Sequence, residues 1–326
     1  MGKERVLVTG CAGFIGSHLV EALLLMGYDV VGVDCFTPYY SDRIKRHNLA
    51  EALRRKEFKL IELDLSRTSI DDLTSIVKDV SYVIHEAAQP GVRSSWGADF
   101  DAYVRHNILA SQRLLEAVLR AGGVKRFVYA SSSSIYGNVE NIPISEEATP
   151  KPYSPYGVTK LTAENLCRVY YENFNVPIVV LRYFTMYGPR QRPDMAFHKF
   201  IKSMLRGEPI YVYGDGQQAR DFTYIEDVVE ATIRSMECED DIIEQAVNVG
   251  YGKPIKLMKA IEIIAELCDV KPQIMFKEEM KGDVKATWAD ISRARKLLGW
   301  EPKTKLRDGL EAEIQWIKQA MEVGLI

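Results

Sequence analysis

The sequence predicts a doubly wound α/β fold built on a parallel sheet, and three observations carry that prediction. A glycine-rich turn follows directly on an apolar N-terminal run, and an acid, Asp34, closes the second apolar run. Strand-like and helix-like segments then alternate to about residue 184. Such alternation implies parallel strands with helices on both faces.

Taken in order, residues 5–8 (Arg-Val-Leu-Val) form a short buried strand. The stretch Thr9-Gly10-Cys11-Ala12-Gly13-Phe14-Ile15-Gly16 has the form G-x-x-G-x-x-G and opens an apolar-periodic helix to about Met26. Glycines there permit a tight turn and bring the backbone close to a pyrophosphate at a helix N-terminus. A second strand, residues 29–33, ends at Asp34. An acid at that place accepts hydrogen bonds from ribose hydroxyls and repels a 2′-phosphate, which favours NAD over NADP. Glycine-rich turns occur in other α/β proteins too. Strand, turn, helix, strand and acid in this order are what point to a dinucleotide.

Further strands are expected at 58–63, 80–84, 126–130 and 178–183, with helices near 70–78, 102–121 and 156–174. In a sheet of this kind ligands bind at the carboxyl ends of the strands. Asp64 and Leu65 end the third strand and are placed to meet an adenine. Ala87, Ala88 and Gln89 follow the fourth, and Ser131 to Ser134 follow the fifth. Gly10, Gly13, Phe14, Ile15, Gly16, Asp34, Asn107 and Tyr183 complete the expected cofactor contacts. Beyond residue 185 the chain breaks into Gly- and Pro-punctuated segments, the mark of a ligand-covering lobe. The expected division is a cofactor-binding (Rossmann) domain over 1–184 with a return segment at about 222–250. A smaller mixed substrate-binding lobe takes 185–221 and 251–326.

Composition narrows the function classes. The chain is 47% hydrophobic and 27% charged with a net charge of −3 and no basic block, so nucleic acid is not an expected partner. No apolar run reaches membrane-spanning length, and the N-terminus leads straight into a strand. Five cysteines without C-x-x-C spacing read as core residues of a reduced, cytoplasmic protein, and the scattered histidines offer no metal site.

Tyr156-Gly157-Val158-Thr159-Lys160 carries the chemistry. Residues i and i+4 share a helix face, so phenol and ammonium can converge on one atom. Ser154 and Pro155 suit an N-cap and a first-turn proline. A nearby cation favours the phenolate and brings a weak base toward its working range.

With these pieces in place, the chain resembles the extended short-chain dehydrogenases/reductases, in the branch of nucleotide-sugar epimerases, dehydratases and decarboxylases. The resemblance covers essentially the full length. Beyond the glycine turn and the tyrosine–lysine helix it rests on His85-Glu86-Ala87-Ala88, Ile135-Tyr136-Gly137, Arg182-Tyr183-Phe184, Tyr187-Gly188-Pro189, Gly214-Asp215-Gly216, Arg220-Asp221 and Ala289-Asp290. It implies a third catalytic member, Ser132, beside Tyr156 and Lys160, with Ser131 and Ser133 one place to either side. It also implies NAD as cofactor and a UDP-sugar as substrate, whose 4-hydroxyl loses its proton to Tyr156 as C4 gives up hydride. Relatives pair the helices near 102–121 and 156–174 into a dimer interface. Apolar residues there (Leu109, Leu114, Leu115, Val118; Leu161, Leu166, Val169, Tyr170) exceed what one face needs, and a homodimer is expected.

Departures select the branch. Similar dehydratases carry Asp and Glu directly after the catalytic hydroxyl, where this chain has Ser133 and Ser134, and similar decarboxylases carry Glu at the second place. UDP-glucose 4-epimerases have Asn where Thr185 stands. The segments with Gly91 and Arg93 and with Arg190 and Arg192 resemble those of UDP-glucuronate 4-epimerases, where arginines and hydroxyls can hold a carboxylate. The same arginines would also suit phosphate or surface acids. By the same resemblance Arg220 and Asp283 meet the phosphate and the uridine ribose, with Phe197 and Lys199 near the base. Lys281 stands where many relatives have Arg. The expected reaction is 4-epimerisation of UDP-glucuronate, with UDP-glucose/UDP-galactose epimerisation as the alternative.

Overall fold

A computed structural model describes residues 4–239, 242 and 245–326. The chain opens with β1 (Arg5–Thr9), α1 (Phe14–Leu25), β2 (Asp29–Asp34), α2 (Asp42–Asn48), β3 (Phe58–Glu62) and α3 (Ile70–Val77). Next come β4 (Tyr82–His85), α4 (Phe100–Tyr103), α5 (Ala110–Ala121), β5 (Arg126–Ser132), α6 (Pro155–Phe174) and β6 (Ile178–Tyr183). The remainder is β7 (Thr185–Tyr187), α7 (Ala196–Leu205), β8 (Ile210–Tyr213), β9 (Ala219–Tyr224), α8 (Ile225–Glu237) and β10 (Ala246–Val249). It closes with β11 (Pro254–Lys256), α9 (Leu257–Cys268), β12 (Ile274–Lys277), α10 (Ser292–Leu298) and α11 (Leu306–Glu322).

Seven strands form one parallel sheet in the order β10-β6-β5-β4-β1-β2-β3. Side chains alternate across it: Val6 and Val8 of β1 enter one core and Leu7 enters the other. Burial on both faces explains why these strands read as continuous apolar runs. The order reverses between β1 and β4, and such a switch point leaves a crevice at the carboxyl ends. The smaller lobe holds a three-stranded sheet, β11-β9-β7, and a parallel pair, β12-β8. Tyr187, Phe197, Phe222 and Tyr224 pack its centre, with Phe197 and Phe222 rings 4.5 Å apart.

Helix α6 begins as its sequence implies. Pro155 occupies the first turn and the Ser154 hydroxyl accepts from Gly157 N at 3.1 Å. Asn175 ends it in the left-handed region at φ 55. The helix expected at 102–121 is instead interrupted by a π-helical turn, Val104–Leu109, between α4 and α5. That turn places Asn107 inward, where its carboxamide accepts from Gln89 N at 2.7 Å and donates to Thr159 Oγ1 at 2.9 Å.

The surplus of apolar residues on these helices is smaller than the sequence implies. Leu114, Leu115, Val118 and Tyr170 are buried within the chain, because α5 packs against α3 and α6 as well as the sheet. Of those eight residues, Leu109 remains exposed. No helix among the described residues is long and apolar enough to cross a membrane.

Candidate active site

The carboxyl ends of the central strands line a cleft. Its floor is the glycine turn. A Cβ on Gly16 would lie 2.1 Å from the Gly10 carbonyl oxygen, and one on Gly10, at φ +68, would lie 2.8 Å from Ala87 N. Side chains are therefore excluded where the turn crosses β4. Gly13 caps α1 without a side-chain acceptor, so the backbone N–H groups of that end stay available to an anion. Beside them the Asp34 carboxylate is fixed by Ala12 N at 3.1 Å and Phe36 N at 2.8 Å. Asp64, Leu65, Ala87 and Ala88 line the same cleft. Bare backbone, an open helix end and a fixed carboxylate fit a dinucleotide with free ribose hydroxyls.

At the other end stand Ser132, Tyr156, Lys160, Tyr183 and Arg192. Lys160 is buried with its ammonium 4.7 Å from the Tyr129 ring centre. Burial draws its pKa down to about 8, against the opposing pull of Glu86. Burial pushes the Tyr156 phenol up, while the Arg192 guanidinium and the Ser132 hydroxyl pull it back. Arg192 is held bidentately by Asp194 at 2.9 and 3.0 Å, and Asp194 also accepts from Tyr39 at 3.2 Å. The three candidate serines differ in their surroundings. Ser131 donates to Glu164 at 2.6 Å, Ser132 accepts from Ser134 N at 3.1 Å, and Ser133 starts a single 3-10 turn.

Ser133, Ser134 and Thr185 are half-buried next in the chain to the cleft residues Ser132 and Met186 but do not line the cleft themselves, and neither does Gly91, which turns beneath the Tyr39 hydroxyl at φ +106. A separate cleft holds Arg220 and Asp283. Arg93 donates to Asp283 at 2.7 Å and stacks on the Tyr213 ring. Asn107 and Gln89 are buried behind the wall, where Asn107 clamps the backbone of Gln89. Phe197 and Lys199 are brought to neither cavity: Phe197 lies in the aromatic core and Lys199 is exposed on α7.

Several cleft residues escaped sequence reasoning. Tyr39 and Lys45 belong to no spacing motif, while Glu86 stands within His85-Glu86-Ala87-Ala88 without a role assigned to it. Glu86 left one signal, a charge at the end of a buried strand. Glu313 left another, a charge inside the apolar stripe of α11; it is fully buried and accepts from Gly188 N at 2.9 Å. Among the described residues no cluster of His, Cys, Asp and Glu is placed to hold a metal.

Comparison with known proteins agrees with this geometry. A UDP-glucuronate 4-epimerase of Thermodesulfobacterium geofontis is 41% identical, covering 97% of each chain. An uncharacterized UDP-glucose epimerase, YtcB, of Bacillus subtilis is 46% identical over 96% of this chain and 98% of its own. The structure of UDP-glucuronic acid 4-epimerase from Bacillus cereus in complex with UDP-glucuronic acid and NAD superposes with a TM-score of 0.93 at 45% identity, covering 97% and 99% of the two chains. The description of the NAD dependent epimerase/dehydratase family matches residues 6–250, and this chain belongs to that family.

Proposed function

We propose that this protein is an NAD-dependent 4-epimerase that interconverts UDP-glucuronate and UDP-galacturonate through a transient 4-keto sugar, without net loss of CO₂. The observation that carries this reading is Arg192, a guanidinium fixed by Asp194 that lines the same cleft as Tyr156 and favours its phenolate. A sugar carboxylate near the reacting oxygen would find its counter-charge there. The Thermodesulfobacterium and Bacillus cereus relatives, both UDP-glucuronate 4-epimerases, support it.

NAD, when bound there, would supply the hydride acceptor for C4 and the donor for the return. The glycine turn would hold the pyrophosphate and Asp34 the adenosine ribose. Lys160 would hold the nicotinamide ribose and, with Arg192, favour the Tyr156 phenolate. Tyr156 takes the proton of the 4-hydroxyl, directly or through Ser132, and gives it back when the ketone is reduced. Arg93, Arg220 and Asp283 would anchor the uridine diphosphate while the ring turns.

A 4-keto uronic acid is a β-keto acid, and it loses CO₂ fastest when the breaking bond lies parallel to the ketone π system. The carboxylate must be pinned away from that alignment. Ser133, Ser134 and Thr185 are short hydroxyls that fix orientation without protonating anything. The second reading, a UDP-glucose/UDP-galactose epimerase, draws on the likeness to YtcB.

We also infer a homodimer in the cytoplasm. All five cysteines are free, as a reducing compartment requires. Trp96, Phe100, Leu109, Tyr153, Val158 and Phe174 are exposed on or beside α4, α5 and α6, an apolar surface suited to a second copy. Light scattering at micromolar concentration is expected to return the dimer mass, and a monomer would reject the inference.

Cofactor choice is expected to follow charge. Asp34→Ala should narrow the preference for NAD over NADP by roughly tenfold, since one screened charge is removed; titrating both nucleotides into apo-protein measures it. Tyr156→Phe keeps the ring and loses the base, so turnover should fall at least ~10²-fold with NAD still bound. Wild-type turnover in that variant would refute the assignment.

Substrate and carboxylate control are tested together by NMR of the products from four UDP-sugars. UDP-glucuronate should give UDP-galacturonate faster than UDP-glucose gives UDP-galactose. Thr185→Val should slow epimerisation by about 10- to 150-fold, the worth of a hydrogen bond to a charged group. It should also release some UDP-pentose. Faster turnover of UDP-glucose, with UDP-glucuronate ignored, establishes the second reading instead.

A further inference from the structure

One charged group of the cleft has no part in the scheme above. Glu86 follows β4 directly and lines the cleft with Tyr156, Lys160 and Tyr183. Its hydrogen-bond partner is a neutral phenol: Tyr183 Oη donates to Glu86 Oε1 at 2.9 Å. Tyr183 is steadied in turn by Thr232 Oγ1 of α8 at 2.8 Å. A recessed carboxylate whose side-chain hydrogen bond comes from a phenol is costly in the protein alone, even with the Lys160 ammonium acting on it. Burial accordingly pushes the carboxyl up, against the pull of Tyr183 and Lys160. What would relieve that cost is a cation delivered by a ligand. The oxidised nicotinamide ring is such a cation, and reduction by hydride removes its charge. Lys160 and Tyr156, which mark the nicotinamide end, both feel the field of Glu86.

We propose that Glu86 is a fixed counter-charge that biases the bound nicotinamide toward its oxidised form. An epimerase needs such a bias. Its resting state must hold NAD, and the hydride lent by the sugar must return rather than remain on the cofactor while the ketone escapes. A negative charge in the wall stabilises the cationic ring and does nothing for the neutral one, so it acts on that equilibrium in the required direction. The Tyr183 and Thr232 bonds make Glu86 a positioning group for charge, not a proton donor to the sugar.

The proposal rests on the cleft holding NAD and not on which sugar is epimerised, so its test uses no sugar. Purified holoenzyme, Glu86→Gln and Glu86→Asp are equilibrated anaerobically against reference dyes, and the near-ultraviolet absorbance of the reduced nicotinamide is read. At a fixed solution potential Glu86→Gln should hold on the order of tenfold more reduced cofactor, an upward shift of about 30 mV for a two-electron couple. Glu86→Asp, which keeps the charge, should stay near the wild type. If Glu86→Gln sheds its cofactor, the ratio of NAD to NADH dissociation constants, titrated into apo-protein, carries the same comparison and should move tenfold toward NADH. An unchanged potential or ratio in Glu86→Gln overturns the proposal. Equal shifts in Glu86→Gln and Glu86→Asp overturn it as well, because packing and not charge would then be the cause.

Discussion

The Glu164 carboxylate is the joint on which the reactive end depends. It lies one turn beyond Lys160 on the face of α6 that carries Tyr156. From there it accepts Ser131 Oγ of β5 at 2.6 Å and Arg182 Nε of β6 at 3.1 Å. Arg182 continues to the Tyr136 hydroxyl at 2.8 Å and the Glu146 carbonyl at 3.0 Å. Tyr136 then donates to Asn248 of β10, whose amide holds the carbonyls of Ile144 and Asp290. One buried ion pair thus fixes the register of the tyrosine helix against two strand ends and against the start of the smaller lobe. The pair is nearly dry, with side chains 7% and 11% exposed, so losing either partner would strand a charge. Its value here is geometric. Ser132 can address Tyr156 only if the end of β5 and the first turns of α6 do not slide.

Most of the sheet was legible because burial on both faces writes strands as unbroken apolar runs. Residues 178–183 coincide with β6, and the other five early strands lie within two residues of expectation. The caps of α6 were legible for a local reason, since Ser154 and Pro155 act within one turn. The π turn at Val104–Leu109 was not, because its cause is tertiary. Asn107 is drawn inward by Gln89 and Thr159, one of them on another helix, and no local pattern records that. The same blindness affected burial. Leu114, Leu115 and Val118 counted as surplus only while α5 was imagined with one neighbour. Phe197 shows the limit of motif transfer: a motif marks where a residue lies in the chain, and here the side chain turns into the aromatic core.

Arg192 shows how one residue can serve two needs. Its guanidinium is fixed by Asp194, which is held by Tyr39, which also meets Ser94. That chain ties the loop after β2 to the loop before α7. The positive charge both suits a carboxylate and draws down the Tyr156 phenol. Binding a carboxylate would partly neutralise it, so substrate and base are coupled through one cation.

The loop that carries Arg192 must be stiff for this coupling to hold, and three contacts make it so. His18 Nε2 of α1 meets the Pro189 carbonyl at 2.9 Å, and Glu21 of the same helix pairs with Arg190 at 2.6 Å. Glu313 accepts from Gly188 N, and burial pushes its carboxyl far above the usual range. Its bond to Gly188 ties the loop to α11. The two ties to α1 begin at the helix whose N-terminus faces the pyrophosphate site, so the cofactor cradle and the sugar clamp share one rigid element. On the proposed function a 4-keto sugar would rotate between fixed walls, with the freedom confined to the ring itself.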